Sequence, residues 1–200
     1  MSDKPIYLDF NATTPIDPAV ASAMLPFLHE HFGNPSSPHA YGVRTKLAIE
    51  GARRRVAELI GARVEEVVFT SGGSESNNMA ILGAAERLRD RGRHIITSAV
   101  EHPAVVEPCR ALERRGFPLT VLPVDGQGRV DPDAVRRAIR PDTILVTVMH
   151  ANNEVGTVQP IPQIAAIARE RGVLVHTDAA QSAGKIPVNV EELGVDLLTI

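Results

Sequence analysis

The chain has almost no cysteine and no tryptophan. A single Cys109 in 200 residues excludes an internal disulfide and fits a reducing compartment. Two Tyr and five Phe are the only other aromatics, 4% in all, so base-stacking platforms and aromatic ligand cages have little to be built from. Neither sign of charge dominates: 21 Lys and Arg stand against 24 Asp and Glu, a formal net charge of -3. That balance argues against a nucleic-acid binder driven by bulk positive charge. The longest apolar runs, such as Thr143–Met149, fall far short of the roughly 20 residues a membrane span needs. The opening MSDKPIYLDF has no secretory apolar core. What is present, 44% hydrophobic and 22% charged residues, is enough for one globular domain or part of a larger one. The composition leads to the expectation of a soluble, cytoplasmic, globular protein, without nucleic acid or membrane as partner.

No internal repeat or low-complexity tract appears. Strand-like IYLDF opens the chain, and a helix is predicted from Pro18 to Glu30 with Asp17 as its cap. The turn-rich FGNPSSPH leads to a helix from Gly42 to Ile60, stopped by Gly61. Strand-like runs then recur at Val67–Thr70, His94–Thr97, Leu119–Val124, Thr143–Met149, Val173–Thr177 and Asp196–Ile200. Helical patterns near Glu75–Arg89, Ala104–Arg115, Pro132–Ile139 and Pro162–Arg171 separate them. Apolar strands alternating with helices predict an α/β fold: a three-layer, mostly parallel sheet with flanking helices. The last strand runs into the end of the chain at Ile200, and a complete domain rarely stops inside a buried strand. The expectation is that the domain is truncated.

Ligands of open parallel sheets bind at the carboxyl ends of the strands, so the loops after the strands are the place to look. Four carry polar clusters: SGGSESNN at 71–78, SAVEHP at 98–103, HANNEVG at 150–156 and DAAQS at 178–182. In the first, Gly72 and Gly73 let the backbone approach a ligand, and the following helix start favours an anion such as phosphate. It is neither a P-loop nor a GxGxxG fingerprint, and a Gly turn followed by a Ser N-cap is the plainer alternative. The second offers Glu101 and His102, and a His beside a Pro in a loop is open to a stacking, an acid/base or a hydrogen-bonded structural reading. Asn152, Asn153 and Glu154 in the third read equally as turn formers. The fourth is the most telling, because Asp178 places a carboxylate at the end of a buried strand. Such a group needs a cation or a protonated partner: an Arg, a metal or a protonated pyridine nitrogen. Gln181 is near enough in sequence to face the same ligand.

His94, His102, His150 and His176 with Glu75, Glu101 and Asp178 could supply metal ligands, but no HExxH or close HxH spacing occurs and no metal site is expected. Cys109 lies at helical spacing with Val105 and Leu112 and reads as a buried core thiol rather than a nucleophile. The Arg53–Arg55 run reads as a solvated helix face.

Taken in order, YLDFNATTP, FGNPSSPH, FTSGGSESNN, TSAVEHPAVVEPC, MHANNEVGTVQPI and HTDAAQSAGKIPV resemble the cysteine desulfurases. These belong to the class V aminotransferase group of fold-type I pyridoxal-phosphate enzymes, and the FGNPSS and EH, NNE and DAAQ segments are most similar to the iron–sulfur-cluster and nitrogen-fixation branch. The resemblance implies pyridoxal 5'-phosphate as cofactor, L-cysteine as substrate, alanine and an enzyme persulfide as products, a homodimer, and a sulfur-acceptor protein as partner. It implies a large cofactor-binding domain over residues 16–200, left incomplete, after an N-terminal segment of residues 1–15, with the C-terminal small domain absent. By the same resemblance Gly73 and Ser74 hold the cofactor phosphate, His102 stacks on the ring and moves protons, and Asn153 lies beside the ring and the substrate carboxylate. Asp178 pairs with the pyridine nitrogen and Gln181 bonds the phenolic oxygen. Selenocysteine lyases and other class V aminotransferases or lyases are relatives with the same cofactor, and a catalytically inactive interaction domain of this fold is a third reading.

Two departures stand out. The family's cofactor-bearing Lys lies in a Ser-x-His-Lys motif directly after the segment matching VDLLTI, where this chain stops. The lysines present are Lys4, Lys46 and Lys185, and Lys185 matches a structural segment. The family's catalytic Cys lies further on, so Cys109 is not it, and the Arg that grips the substrate carboxylate is absent as well. The 200 residues alone are therefore expected to be inactive. Ser74 stands where relatives often carry Thr, which keeps the hydroxyl.

Overall fold

The computed structural model describes residues 5–200 and resolves into two compact units, one reaching residue 57 and the other spanning 58–200. In the first unit the IYLDF run forms no strand. It passes into a turn in which Ala12 and Thr13 donate to the Asp9 carbonyl and the Tyr7 hydroxyl bonds the Asp9 and Thr13 carbonyls. Helix α1 (Pro18–His29) begins as its sequence predicts, with Pro18 at the first turn and the Asp17 carboxylate accepting from Ala19 N at 2.7 Å. In FGNPSSPH, Asn34 Oδ1 accepts from Ser36 N at 2.9 Å, the Asx turn that this sequence favours. Gly33 has φ 154°, and a Cβ there would lie 2.6 Å from the Tyr41 carbonyl oxygen, so only glycine fits. Helix α2 (Ala40–Ile60) follows, two residues longer at its start than its periodicity suggests.

The second unit opens with a short 3-10 helix at Val64–Glu66 and an irregular stretch, then α3 (Gly73–Leu88). Val67–Thr70, strand-like in sequence, joins no sheet among the described residues: β-branched and aromatic side chains favour extended backbone, but a strand also needs a neighbour to complete its ladder. The remaining order is β1 (His94–Ser98), α4 (Pro103–Arg114), β2 (Leu119–Leu122), α5 (Pro132–Ala138), β3 (Thr143–Thr147), α6 (Ile161–Arg169), β4 (Leu174–Asp178), α7 (Val190–Leu193) and β5 (Leu197–Thr199). Five of the six predicted strands after residue 60 are therefore present. The five form one wholly parallel sheet in the order β2-β1-β3-β4-β5.

Alternation of side chains across the strands divides the core in two. Ile95, Leu145, Leu174 and Leu197 pack with Ile81 and Ala85 of α3 and Val105, Cys109 and Leu112 of α4. Ile96, Val146, Val175 and Leu198 pack with Val135 of α5 and Ile161, Ile164, Ala165 and Ala168 of α6. Helices thus cover both faces, giving the three-layer α/β architecture that the near-continuous apolar strands predict. The chain leaves β1 toward β2 and returns across it to β3, so the strand order reverses between β1 and β3. The carboxyl edge beside such a reversal is where open α/β sheets receive ligands.

Candidate functional site

The loop before α3 sets up its first turn. Gly72 is the cap residue, at φ 157° and ψ 176°, in a region essentially reserved for glycine, and no side chain caps the helix. The Ser N-cap alternative does not hold: Ser74 lies inside the first turn. The amide groups of Gly73, Ser74 and Glu75 have no acceptor within the helix by their position. A Cβ at Gly72 would meet nothing within 4 Å, and one at Gly73 would meet only Thr199 Cγ2 at 3.9 Å, so the space before this helix end is open. Around it the loop is tied down: Thr70 Oγ1 and Ser76 Oγ lie 2.8 Å apart, and Ser71 N donates to Glu75 Oε2 at 2.6 Å. Hydrogen bonds from the Ser71 side chain and backbone hold the Glu75 carboxyl below its ordinary value. Open amide donors, a positive helix end and a glycine approach suit an anionic group.

Asp178 ends β4, 7% exposed. Its Oδ1 accepts from Ala180 N at 3.0 Å, and its Oδ2 accepts from Nδ2 of Asn77, a residue of α3, at 2.7 Å. The helix with the open first turn and the buried carboxylate are therefore joined across 101 residues of sequence. Behind Asp178, the His176 ring is held between Thr147 Oγ1 at 2.8 Å and Thr199 Oγ1 at 3.1 Å, and burial drives it down to about 4, so it stays neutral. The Asp178 carbonyl accepts from His150 N at 2.8 Å, and His150 Nδ1 meets Ser182 Oγ at 2.8 Å. His94, at the opposite end of its strand, is likewise pinned by Thr143 and Thr120 and pushed down to about 4, mainly by burial.

The loops after β1 and β3 are bound to each other. Ser98 Oγ donates to Glu101 Oε1 at 2.6 Å, and Met149 N donates to both Glu101 oxygens at 2.9 and 3.1 Å. Burial of this half-exposed residue's carboxyl, only partly offset by those two donors, raises it to about 8, and the Asp178 charge adds to the rise. Asn152 Nδ2 donates to the Val100 carbonyl at 3.0 Å while its Oδ1 accepts from Glu154 N and Val155 N. His102 caps α4, its Nδ1 accepting from Ala104 N at 3.1 Å, and it is exposed. Asn153 is half-buried, with Nδ2 donating to Glu154 Oε1 at 2.8 Å, and Gln181 is half-buried in the turn after β4, accepting from Lys185 Nζ at 3.0 Å. Among the described residues no group of three or more His, Cys, Asp and Glu is arranged to hold a metal ion.

The model of the family described as "Aminotransferase class-V" matches residues 6–200. The chain belongs to the class-V aminotransferase family. Its relatives include the cysteine desulfurase IscS of Dictyoglomus turgidum, 58% identical over 195 residues that cover 98% of this chain and 50% of that protein. Among solved structures, a NifS-like protein superposes with a TM-score of 0.93 at 41% identity, covering 96% of this chain and 53% of that one. A structure described as SspA in complex with cysteine gives the same TM-score at 42% identity, covering 96% and 55%. The chain spans about half the length of the curated relatives it matches. In this class-V aminotransferase chain five of the six residues singled out from sequence lie in the loops or helix starts that follow Thr70, β1, β3 and β4, and the sixth, Asp178, is the last residue of β4. Direct bonds tie Asp178 to α3 through Asn77 on its side chain and to the loop after β3 through His150 N on its carbonyl. Sequence reasoning passed over Asn77, gave Glu101 no anchoring role, and took Asn152 for a turn former. A polar residue one helical turn inside an otherwise apolar face was the available signal for Asn77.

Proposed function

We propose that this chain is the cofactor-holding part of a pyridoxal-phosphate-dependent cysteine desulfurase. The observation that carries the reading is the buried Asp178 carboxylate at the carboxyl edge of β4, tied by Asn77 to a helix whose first turn presents uncapped amides to open space. That donor set fits a ligand with a phosphate at one end and a protonated ring nitrogen at the other, and names and contents of the relatives support the choice of L-cysteine.

When bound, pyridoxal phosphate supplies an electron sink for charge developing at the substrate α-carbon. Gly73 and Ser74 bind the phosphate through backbone N–H groups at the helix start, with the Ser74 hydroxyl as a further donor. Asp178, fixed from two sides, keeps a proton on the ring nitrogen. Gln181 bonds the phenolic oxygen, and Asn153 orients the ring and the substrate carboxylate. At His102, Nδ1 accepts from Ala104 N, so the neutral ring carries its proton on Nε2 and offers that N–H as a donor to a substrate, while taking up a proton requires the Ala104 bond to open. In the full-length protein the sulfur leaves the β-carbon of L-cysteine and bonds to a Cys thiol beyond these 200 residues. The C–S bond breaks, an S–S bond forms, and the products are L-alanine and a persulfide.

We assign residues 16–200 to the large domain and 1–15 to an N-terminal segment, and place the full-length protein in the cytoplasm as a homodimer that passes sulfur to an acceptor protein. Extending the reading frame past Ile200 is expected to show Ser-x-His-Lys at once; its absence overturns the assignment. The full-length protein should bind pyridoxal phosphate and release alanine from L-cysteine, and Asp178→Ala should weaken that binding sharply while leaving it measurable.

A further inference from the structure

Asn77 is the least expected residue of the site. It is 1% exposed, on the side of α3 that also buries Ile81, Ala84 and Ala85, where an apolar side chain would serve packing as well. Its Nδ2 donates to Asp178 Oδ2 at 2.7 Å, while its Oδ1 has no hydrogen-bond partner among the described residues. A buried amide with one end unpartnered is unfavourable, so packing alone does not account for it. The orientation is settled by charge, because the flipped amide would set Oδ1 against the carboxylate. The Asp178 carboxylate is held from two elements: Ala180 N donates to Oδ1 from its own loop, and Asn77 Nδ2 donates to Oδ2 from α3. With both in place, rotation of the carboxylate about its own bond is blocked. Without Asn77 the tie from α3 is lost.

We propose that Asn77 is a positioning residue that sets the rotation of the Asp178 carboxylate and ties it to the first turn of α3. Gly73 and Ser74 stand at the start of the helix and Asn77 one turn further in. One rigid element therefore fixes both the anion end of the site and the carboxylate end, and with them the separation between the two groups a ligand must bridge. The inference rests on the reading of Asp178 as the partner of the pyridine nitrogen.

The test uses the full-length protein and its variants Asn77→Leu, an apolar replacement of similar size, and Asn77→Ala, with Asp178→Ala and the double variant Asn77→Leu/Asp178→Ala. Pyridoxal phosphate affinity is read by fluorescence titration, the pH dependence of the bound cofactor's visible absorption by spectrophotometry, and the melting temperature of the cofactor-free protein by circular dichroism. Loss of one hydrogen bond to a charged group should weaken affinity about tenfold in both Asn77 variants. It should also shift the pH dependence of the absorption, and the cofactor-free melting temperature should fall, because the buried Asp178 carboxylate loses a donor. In the Asp178→Ala background the Asn77 change should have no further effect. Wild-type affinity and an unshifted absorption profile in either Asn77 variant overturn the positioning role alone. A further loss of affinity in the double variant, equal to that in the single one, also overturns it. A wild-type protein that takes up no pyridoxal phosphate, or an Asp178→Ala variant that binds it normally, overturns the underlying reading instead.

Discussion

Cys109 is 0% exposed, packed among Val105, Leu112, Ile95 and Leu145, and burial, with a smaller contribution from the Glu101 charge, pushes its thiol up to about 12. Since the thiolate is the reactive form, the native protein at pH 8 should react with a colorimetric thiol reagent at Cys109 only as fast as it unfolds. Urea should accelerate the reaction in step with loss of the circular dichroism signal. Rapid labelling of the native state would contradict the burial. Asn152 illustrates the other kind of buried residue, one that holds loops rather than filling a core. Its amide joins the loop after β3 to the Val100 carbonyl after β1 and caps two amides of its own turn. Asn152→Ala removes these three bonds and a fourth from Nδ2 to Met149 Sδ at 3.5 Å, which should lower stability by about 2–3 kcal/mol in denaturant titrations. Nothing local in HANNEVG announces this, since an Asn pair in a turn looks the same whether or not its side chain reaches another loop.

At the scale of elements, α3 carries most of the consequence. Its entry depends on Gly72, held at φ 157° and ψ 176°. Gly72→Ala introduces no clash, since its Cβ would meet open space, so its effect isolates backbone strain. The expected loss is about 1–3 kcal/mol, read as a lower midpoint in thermal unfolding. A loss of phosphate or pyridoxal-phosphate affinity larger than that of stability would show that the turn also shapes the anion site. Helix limits and caps in this unit were largely legible from sequence: Asp131 accepts from Asp133 N at 2.9 Å ahead of α5, and Pro103 and Pro132 occupy first turns. Short α7 escaped notice, although Asn189 caps it and Gly194 ends it in the left-handed conformation, because four residues show no helical period. Val67–Thr70 erred the other way.

For the whole molecule, the buried ionisable groups set opposing slopes in stability against pH. His94 and His176, both near 4 when folded and ordinarily near 6.5, bind protons in the unfolded chain before the folded one. Stability therefore rises from pH 4 to 6.5, with His150, lowered by burial, acting in the same direction. The lowered carboxyls of Asp125 and Asp131 add only weakly at the acid end, being fully exposed. Glu101 works in reverse: raised from 4.5 to about 8, it keeps its proton in the folded state after the unfolded chain has released it, so stability falls as pH rises from 4.5 to 8. The melting temperature should peak near pH 6.5, and Glu101→Gln should flatten the alkaline decline. A decline unchanged in that variant would remove Glu101 as its source. The sequence by itself determined the alternation of strands and helices, their approximate limits and three of the four polar loops at one sheet edge, those after β1, β3 and β4, because hydrophobic period, caps and glycines act over a few residues. Only the tertiary structure decided that Asn77 meets Asp178, that Glu101 bridges β1 to β3, that His176 sits neutral between two threonines, and that residues 67–70 stay outside the sheet. Those outcomes depend on which strands become neighbours, and hydrogen bonds between residues tens of positions apart leave no mark on the local pattern of either partner.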